Sequence, residues 1–99
     1  MIDIKPEELN DVIQVLKKNL TQDIFVYAFG SRTKQLARKY SDLDLLIKSD
    51  QAIPSQILLN LKDDFAESDI PFRVDVSDWH QLSSSFKQFI EKDKVRINF

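Results

Sequence analysis

Apolar side chains in this 99-residue chain switch repeatedly between the helical and the strand period, and that alternation restricts the fold more than any other feature. Leu9, Val12, Ile13, Leu16 and Leu20 recur at helical spacing behind Pro6 and the acidic Glu7 and Glu8, which predicts a helix over 6–19. The run from Ile24 to Phe29 is β-branched and aromatic and stops at Gly30, as a buried strand does. The basic stretch 32–39 reads as one or two helical turns. Leu43, Leu45 and Ile47 then alternate with Asp42, Asp44 and Leu46 in a second strand. Pro54 and Ser55 open a helix lined by Ile57, Leu58, Leu61 and Phe65. Phe72, Val74 and Val76 alternate with Arg73, Asp75 and Ser77 in a third strand. Leu82, Phe86, Phe89 and Ile90 mark a last helix capped from Ser83–Ser85, and Val95 and Ile97 add a short extended tail. The order predicts an α/β fold, a small mixed sheet flanked by helices, forming one domain over 1–99. Three strands leave at least one edge open or covered by a partner.

Gly30 is the only glycine. Loops that cradle phosphate with several glycines are therefore absent, and with them the dinucleotide fingerprint and the usual NTPase loop. There is no cysteine and a single histidine, His80, so disulfides, thiolate zinc sites and chemistry needing two histidines are excluded. A net charge of -2 argues against a general nucleic-acid coat, which needs a basic face. It leaves room for a small nucleotide whose charge a metal neutralises. The N-terminus lacks the apolar core of a signal peptide and no run reaches membrane-spanning length, so the chain reads as cytoplasmic.

Side chains two apart on a strand share a face, so Asp42 and Asp44 point together, opposite Leu43 and Leu45. Asp75 takes the polar face of the third strand by the same rule. If the two strands are neighbours with apolar faces aligned, three carboxylates converge. Such a cluster repels itself unless a cation sits within it, and hard oxygen ligands suit Mg²⁺ or Mn²⁺. Two such ions would clamp the oxygens of an in-line phosphoryl displacement. Upstream, Gly30 lets backbone come close to a ligand and Ser31 offers a hydroxyl donor to phosphate. A lone Asp-x-Asp is more often a turn cap with a solvated edge charge. Here the Gly-Ser pair ten residues upstream and a third acid in phase favour the site.

Gly30-Ser31-Arg32 followed by Ser41-Asp42-Leu43-Asp44 resembles the G-S-x10-D-x-D signature of nucleotidyltransferases with a DNA polymerase β-like palm. More narrowly, the chain resembles the minimal nucleotidyltransferase (MNT) family, antitoxins paired with HEPN-domain toxins. The likeness runs from the leading helix through the motif to Phe72-Arg73-Val74-Asp75. It implies the palm-like fold, with nucleotide contact at Gly30 and Ser31. It implies metal ligation at Asp42 and Asp44, and a third acid, Asp75, that completes the metal site and activates the acceptor hydroxyl. It also implies transfer of AMP from ATP, with Mg²⁺ or Mn²⁺, to a tyrosine of an α-helical HEPN toxin. Where the family often reads G-S-R-A-R-G, this chain carries Lys34 and Gln35.

Arg32 is a candidate for the triphosphate, with an ion pair as its plainer role, and Arg73 is a weaker candidate of the same kind. Lys34, Arg38 and Lys39 read as a solvated charge run. Tyr27, Phe29 and Trp79 read as core rather than base-stacking groups, and His80 as a surface or turn histidine with no visible partner. The leading expectation is a metal-dependent enzyme that forms a hetero-oligomer, with no membrane and no direct nucleic-acid contact. The other reading is a non-catalytic antitoxin that blocks its partner sterically.

Overall fold

The computed structural model describes residues 2–34, 36–38 and 40–99. Helix α1 spans Pro6–Asn19. Pro6 occupies its first position, and the Glu8 carboxylate accepts a 2.8 Å hydrogen bond from the Lys5 backbone N–H, satisfying a donor at the helix start. Strand β1 is Phe25–Phe29 and strand β2 is Leu43–Lys48. Helix α2 covers Ser55–Glu67, strand β3 Val74–Asp78, helix α3 Ser84–Glu91 and strand β4 Val95–Ile97. Ser83 caps α3, its hydroxyl accepting from the Phe86 N–H.

The strands form one sheet in the order β3-β2-β1-β4, with β2 and β3 parallel and the other pairs antiparallel. Parallel pairing requires a crossover, and α2 supplies it. One face carries Val26 and Ala28 of β1, Leu43, Leu45 and Ile47 of β2, Val74 and Val76 of β3 and Ile97 of β4. These pack in one cluster with Val12 and Leu16 of α1 and Leu61 and Phe65 of α2. Asn19 Nδ2 donates to Asp64 Oδ2 at 2.9 Å, joining the two helices at the rim. The opposite face is covered only in part. There Phe29 and Leu46 meet Ile90 of α3, with Tyr27, Trp79 and Leu82 packed around them. Helices therefore flank a mixed sheet on both sides, as expected.

The tail around Val95 and Ile97 is a fourth strand rather than a loose extension. It pairs Ile97 with Val26 on the free side of β1, and Ile97 is buried. Three residues carry too little period to announce a strand, and tertiary pairing decides it. The basic stretch is also less helical than expected. Among the described residues of the stretch only Ser31–Thr33 form a 3-10 turn, and Leu36, Ala37 and Arg38 have no regular structure. Side chains claim the backbone there: Arg38 N–H donates to Ser41 Oγ at 2.8 Å, and the Arg32 guanidinium takes the carbonyls of Arg38 and Ser41. Gln35 and Lys39 lie outside the described residues. No helix among the described residues is long and apolar enough to cross a membrane.

Candidate active site

The site lies on the half-covered face, at the end of the sheet where β1 stops. Strand pairing puts Phe29 opposite Asp44 and Asp44 opposite Asp75. Asp44 therefore sits between an aromatic ring and a second carboxylate on the same face. Asp42 is exposed and stands just ahead of β2, and the Leu43 N–H to Arg73 carbonyl bond of 2.9 Å extends the ladder beside it. Arg73 reaches across to Asp75 at 3.7 Å, the ion pair that was its plainer expectation. Burial pushes the Asp44 carboxyl up to about 6 from its ordinary 3.8. Repulsion from Asp75 and then Asp42 adds to the rise, and Arg73 offsets part of it. Asp75 and Asp42 are thus close enough to raise the Asp44 pKa.

Gly30 makes this arrangement possible. Its backbone is at φ +85° and ψ -155°, a region that side chains other than hydrogen rarely adopt. A Cβ there would collide with Asp44 Oδ2. The chain then turns back on itself: the Gly30 carbonyl accepts from the Thr33 N–H at 3.1 Å and from Thr33 Oγ1 at 2.8 Å. The Ser31 carbonyl accepts from the N–H groups of Lys34 and Leu36. Ser31 thus opens a tight loop immediately beside the acid cluster.

The donor set fits a hard divalent cation by its chemistry: the neighbouring carboxylates push the Asp44 pKa up, and positive charge relieves that repulsion. It fits as a set of donors rather than as a finished cage. Among the described residues, no three carboxylates or imidazoles are drawn together into a ready-made coordination shell. A cavity of about 410 Å³ runs beside Asp75, lined by Lys62, Phe65, Ile70, Phe72 and Arg73 among others. Asp75 is open to approach from that side.

Several residues take roles the sequence did not announce. Arg32, expected beside the triphosphate, is 5% exposed and turned inward. It hydrogen-bonds to backbone carbonyls and lies 3.9 Å from the centre of the Phe72 ring. Lys34 is not merely solvated: it pairs with Asp93 at 3.4 Å and lies 4.8 Å from the Phe89 ring centre, tying the loop to α3. His80 is exposed in the turn after β3 and does have a partner, its Nε2 lying 2.8 Å from the Ser49 carbonyl. Phe29 is core as expected, while Tyr27 and Trp79 are half-buried under ammonium groups. Lys94 lies 4.5 Å from Tyr27, and Lys48 and Lys87 lie 4.6 and 4.9 Å from Trp79. Asp78 escaped notice altogether. It is 1% exposed, accepting from the Ile53 N–H at 2.8 Å and the His80 N–H at 3.1 Å. An acid in phase with Val74 and Val76, on the apolar side of β3, was the signal for it.

With this geometry in view, comparison with known proteins is informative. The family model for polymerase β-type nucleotidyltransferases matches residues 10–98. A curated relative from Haemophilus influenzae, named probable protein adenylyltransferase MntA, is 45% identical over 96 residues, covering 97% of this chain and 83% of its own. Among solved structures, a toxin–antitoxin crystal structure with AMP-PNP superposes with a TM-score of 0.74 at 21% identity, over 92% of this chain and 73% of that one. A tri-AMPylated Shewanella oneidensis HEPN toxin in complex with MNT antitoxin gives 0.71 at 18% identity, over 97% and 74%. At those identities the structures establish the shared fold.

Proposed function

We propose, given that this chain belongs to the polymerase β-type nucleotidyltransferase family and to its minimal, MntA-like branch, that it moves AMP from ATP onto a tyrosine hydroxyl of a HEPN-domain toxin and so acts as the antitoxin. The observation that carries this reading is the register that sets Asp44 against Asp75 with Gly30 directly beneath. Gly30 and Ser31 hold the triphosphate, because at Gly30 the backbone passes close to Asp44 with no side chain between. Asp42 and Asp44 hold Mg²⁺ or Mn²⁺, with Asp75 as the third acid. When bound, the cation supplies charge neutralisation for the phosphates and for the developing negative charge.

The remaining chemistry falls to the chain's own groups. The acceptor hydroxyl enters beside Asp75, whose carboxylate takes its proton as the oxygen bonds to the α-phosphorus of ATP. The bond from that phosphorus to the β-phosphate oxygen breaks, and pyrophosphate leaves with the electron pair. Arg73 stands beside the Asp75 carboxylate, its Nη2 at 3.7 Å from Oδ1. The catalytic effect comes mainly from alignment and electrostatic stabilisation, since the transferred group needs no covalent help from the protein. A thin single sheet with the site half uncovered suits work on a partner that supplies the missing wall, and a cytoplasmic location goes with such a pair.

The test is incubation of the purified chain with ATP, Mg²⁺ and its cognate HEPN protein, followed by intact mass of both. The expected result is one or more AMP additions on the HEPN chain, lost with Asp42→Asn or Asp44→Asn and mapped to a tyrosine. An unmodified partner that is nonetheless held in a tight complex and inhibited would replace this reading with steric neutralisation.

A further inference from the structure

Arg32 follows the phosphate-loop serine directly, yet its side chain leaves the loop and enters the protein. Nε donates to the Ser41 carbonyl at 2.9 Å, Nη1 to the Asp3 carbonyl at 2.8 Å and Nη2 to the Arg38 carbonyl at 3.4 Å. Its own carbonyl accepts from the Asp3 N–H at 2.7 Å, so the two residues are linked in both directions. The guanidinium plane is backed by the Phe72 ring. What these contacts touch matters more than their number. Ser41 immediately precedes Asp42, Phe72 immediately precedes the Arg73 that pairs with Asp75, and Ser31 immediately precedes Arg32 itself. One planar cation thus sits where the chain segments bearing Ser31, Asp42 and Asp75 meet.

We infer that Arg32 is a positioning residue, a clamp whose fork of donors sets the spacing between the phosphate loop, the Asp42 carboxylate and the strand that carries Asp75. Two physical arguments favour this over a purely stabilising role. A buried cation is costly to desolvate, and an apolar side chain of similar size would fill the same space at lower cost. Carbonyl groups at three separate stations also match the fixed geometry of guanidinium and not that of a flexible ammonium. A phosphate-binding role is disfavoured by the same contacts, because the donors are already directed at protein oxygens.

This inference rests on the transfer reaction proposed above, and Arg32→Lys tests it. The side chain keeps its charge but loses the fork and most of the ring contact. The variant is expected to keep the native far-UV spectrum and to lose about 10- to 100-fold in kcat, with KM for ATP changed less than about 3-fold. Binding of Mn²⁺ in the presence of AMP-PNP, followed by the spin-resonance signal of free Mn²⁺, should weaken by about tenfold, because Asp42 is no longer held. A lower melting temperature with kcat and Mn²⁺ affinity unchanged would overturn the inference in favour of a stabilising role. A large rise in KM with kcat preserved would overturn it in favour of direct phosphate contact. If Arg32→Lys does not fold, Phe72→Leu keeps the apolar volume but removes the aromatic backing, and a smaller kcat loss in the same direction is expected. No loss there overturns the clamp. Asp44→Asn run alongside separates the two levels: if it too retains full transfer, the proposed reaction fails rather than the clamp.

Discussion

Gly30→Ala probes the geometry of the site more directly than removal of any acid. The backbone at φ +85° and ψ -155° lies where essentially only glycine is found, and forcing an L-residue into it costs about 1–3 kcal/mol. The added Cβ also runs into Asp44 Oδ2, so the carboxylate must leave its rotamer, at about 0.5–1.5 kcal/mol more. The two costs together come to about 1.5–4.5 kcal/mol, a large share of the roughly 5–15 kcal/mol that holds a domain of this size together. At about 4–8 °C per kcal/mol, the melting temperature should fall by at least about 6 °C, read by far-UV circular dichroism and cross-checked by urea titration. A double-mutant cycle separates the contributions. In an Asp44→Ala background the collision is absent, so the alanine at position 30 should cost only the backbone part, and the coupling should equal the carboxylate part. Nucleotide binding should be lost with Gly30→Ala even at temperatures where the variant is fully folded, since Asp44 has been turned away. A variant within about 0.5 kcal/mol of the parent, still binding AMP-PNP normally, would refute the reasoning at its root.

Three other perturbations follow from the same geometry. Asp44 has a folded pKa of about 6 against an ordinary 3.8, so the folded state is favoured by this group below pH 3.8 and loses that advantage as pH rises through 6. In EDTA at pH 8, Asp44→Asn should therefore be more stable than the parent by about 1–2 kcal/mol after allowance for solvent screening, and the gap should close by pH 4; a pH-independent difference in urea midpoints would contradict the raised pKa that burial, and then repulsion, gives Asp44. Asp78→Ala leaves the Ile53 and His80 N–H groups without their acceptor and should cost about 2–4 kcal/mol in urea unfolding while transfer by the folded fraction is unchanged. Lys34→Ala removes a half-exposed ion pair and a ring contact and should change stability by less than about 1 kcal/mol; a larger loss by thermal melting would mean that the loop depends on its tie to α3.

Much of the architecture was legible because local signals and tertiary packing agree. The Pro6 start, the alternation of Leu43, Leu45 and Ile47, and the phasing of Asp75 against Val74 and Val76 all hold in the folded chain. The convergence of Asp44 and Asp75 followed from period-two geometry once the strands were taken as neighbours. Other features were not legible, for identifiable reasons. β4 is too short to show a period, and its existence depends on the free side of β1. Arg32 reads as a ligand contact because a basic residue after a Gly-Ser pair sits on a turn, and nothing local reveals that carbonyls distant in the chain await it. Asp78 occupies an apolar phase, so pattern reading passes over it, although a carboxylate in that position is what the amide donors of Ile53 and His80 require. Partners of this kind are fixed by long-range topology, which periodicity does not encode.

The parallel pairing of β2 with β3 across the α2 crossover has a consequence for how the chain acquires its activity. Antiparallel neighbours can zip from a local turn, whereas this pair must wait until a helix has formed and folded back, among the slower events in a small domain. Asp44 and Asp75 come together only in that step, and they meet as like charges. Assembly of the acid pair and formation of the parallel ladder are therefore one event, opposed by the like charges it brings together. Until that pairing forms the acid pair does not exist, and counter-charge there, whether proton or cation, would relieve the repulsion that the pairing brings.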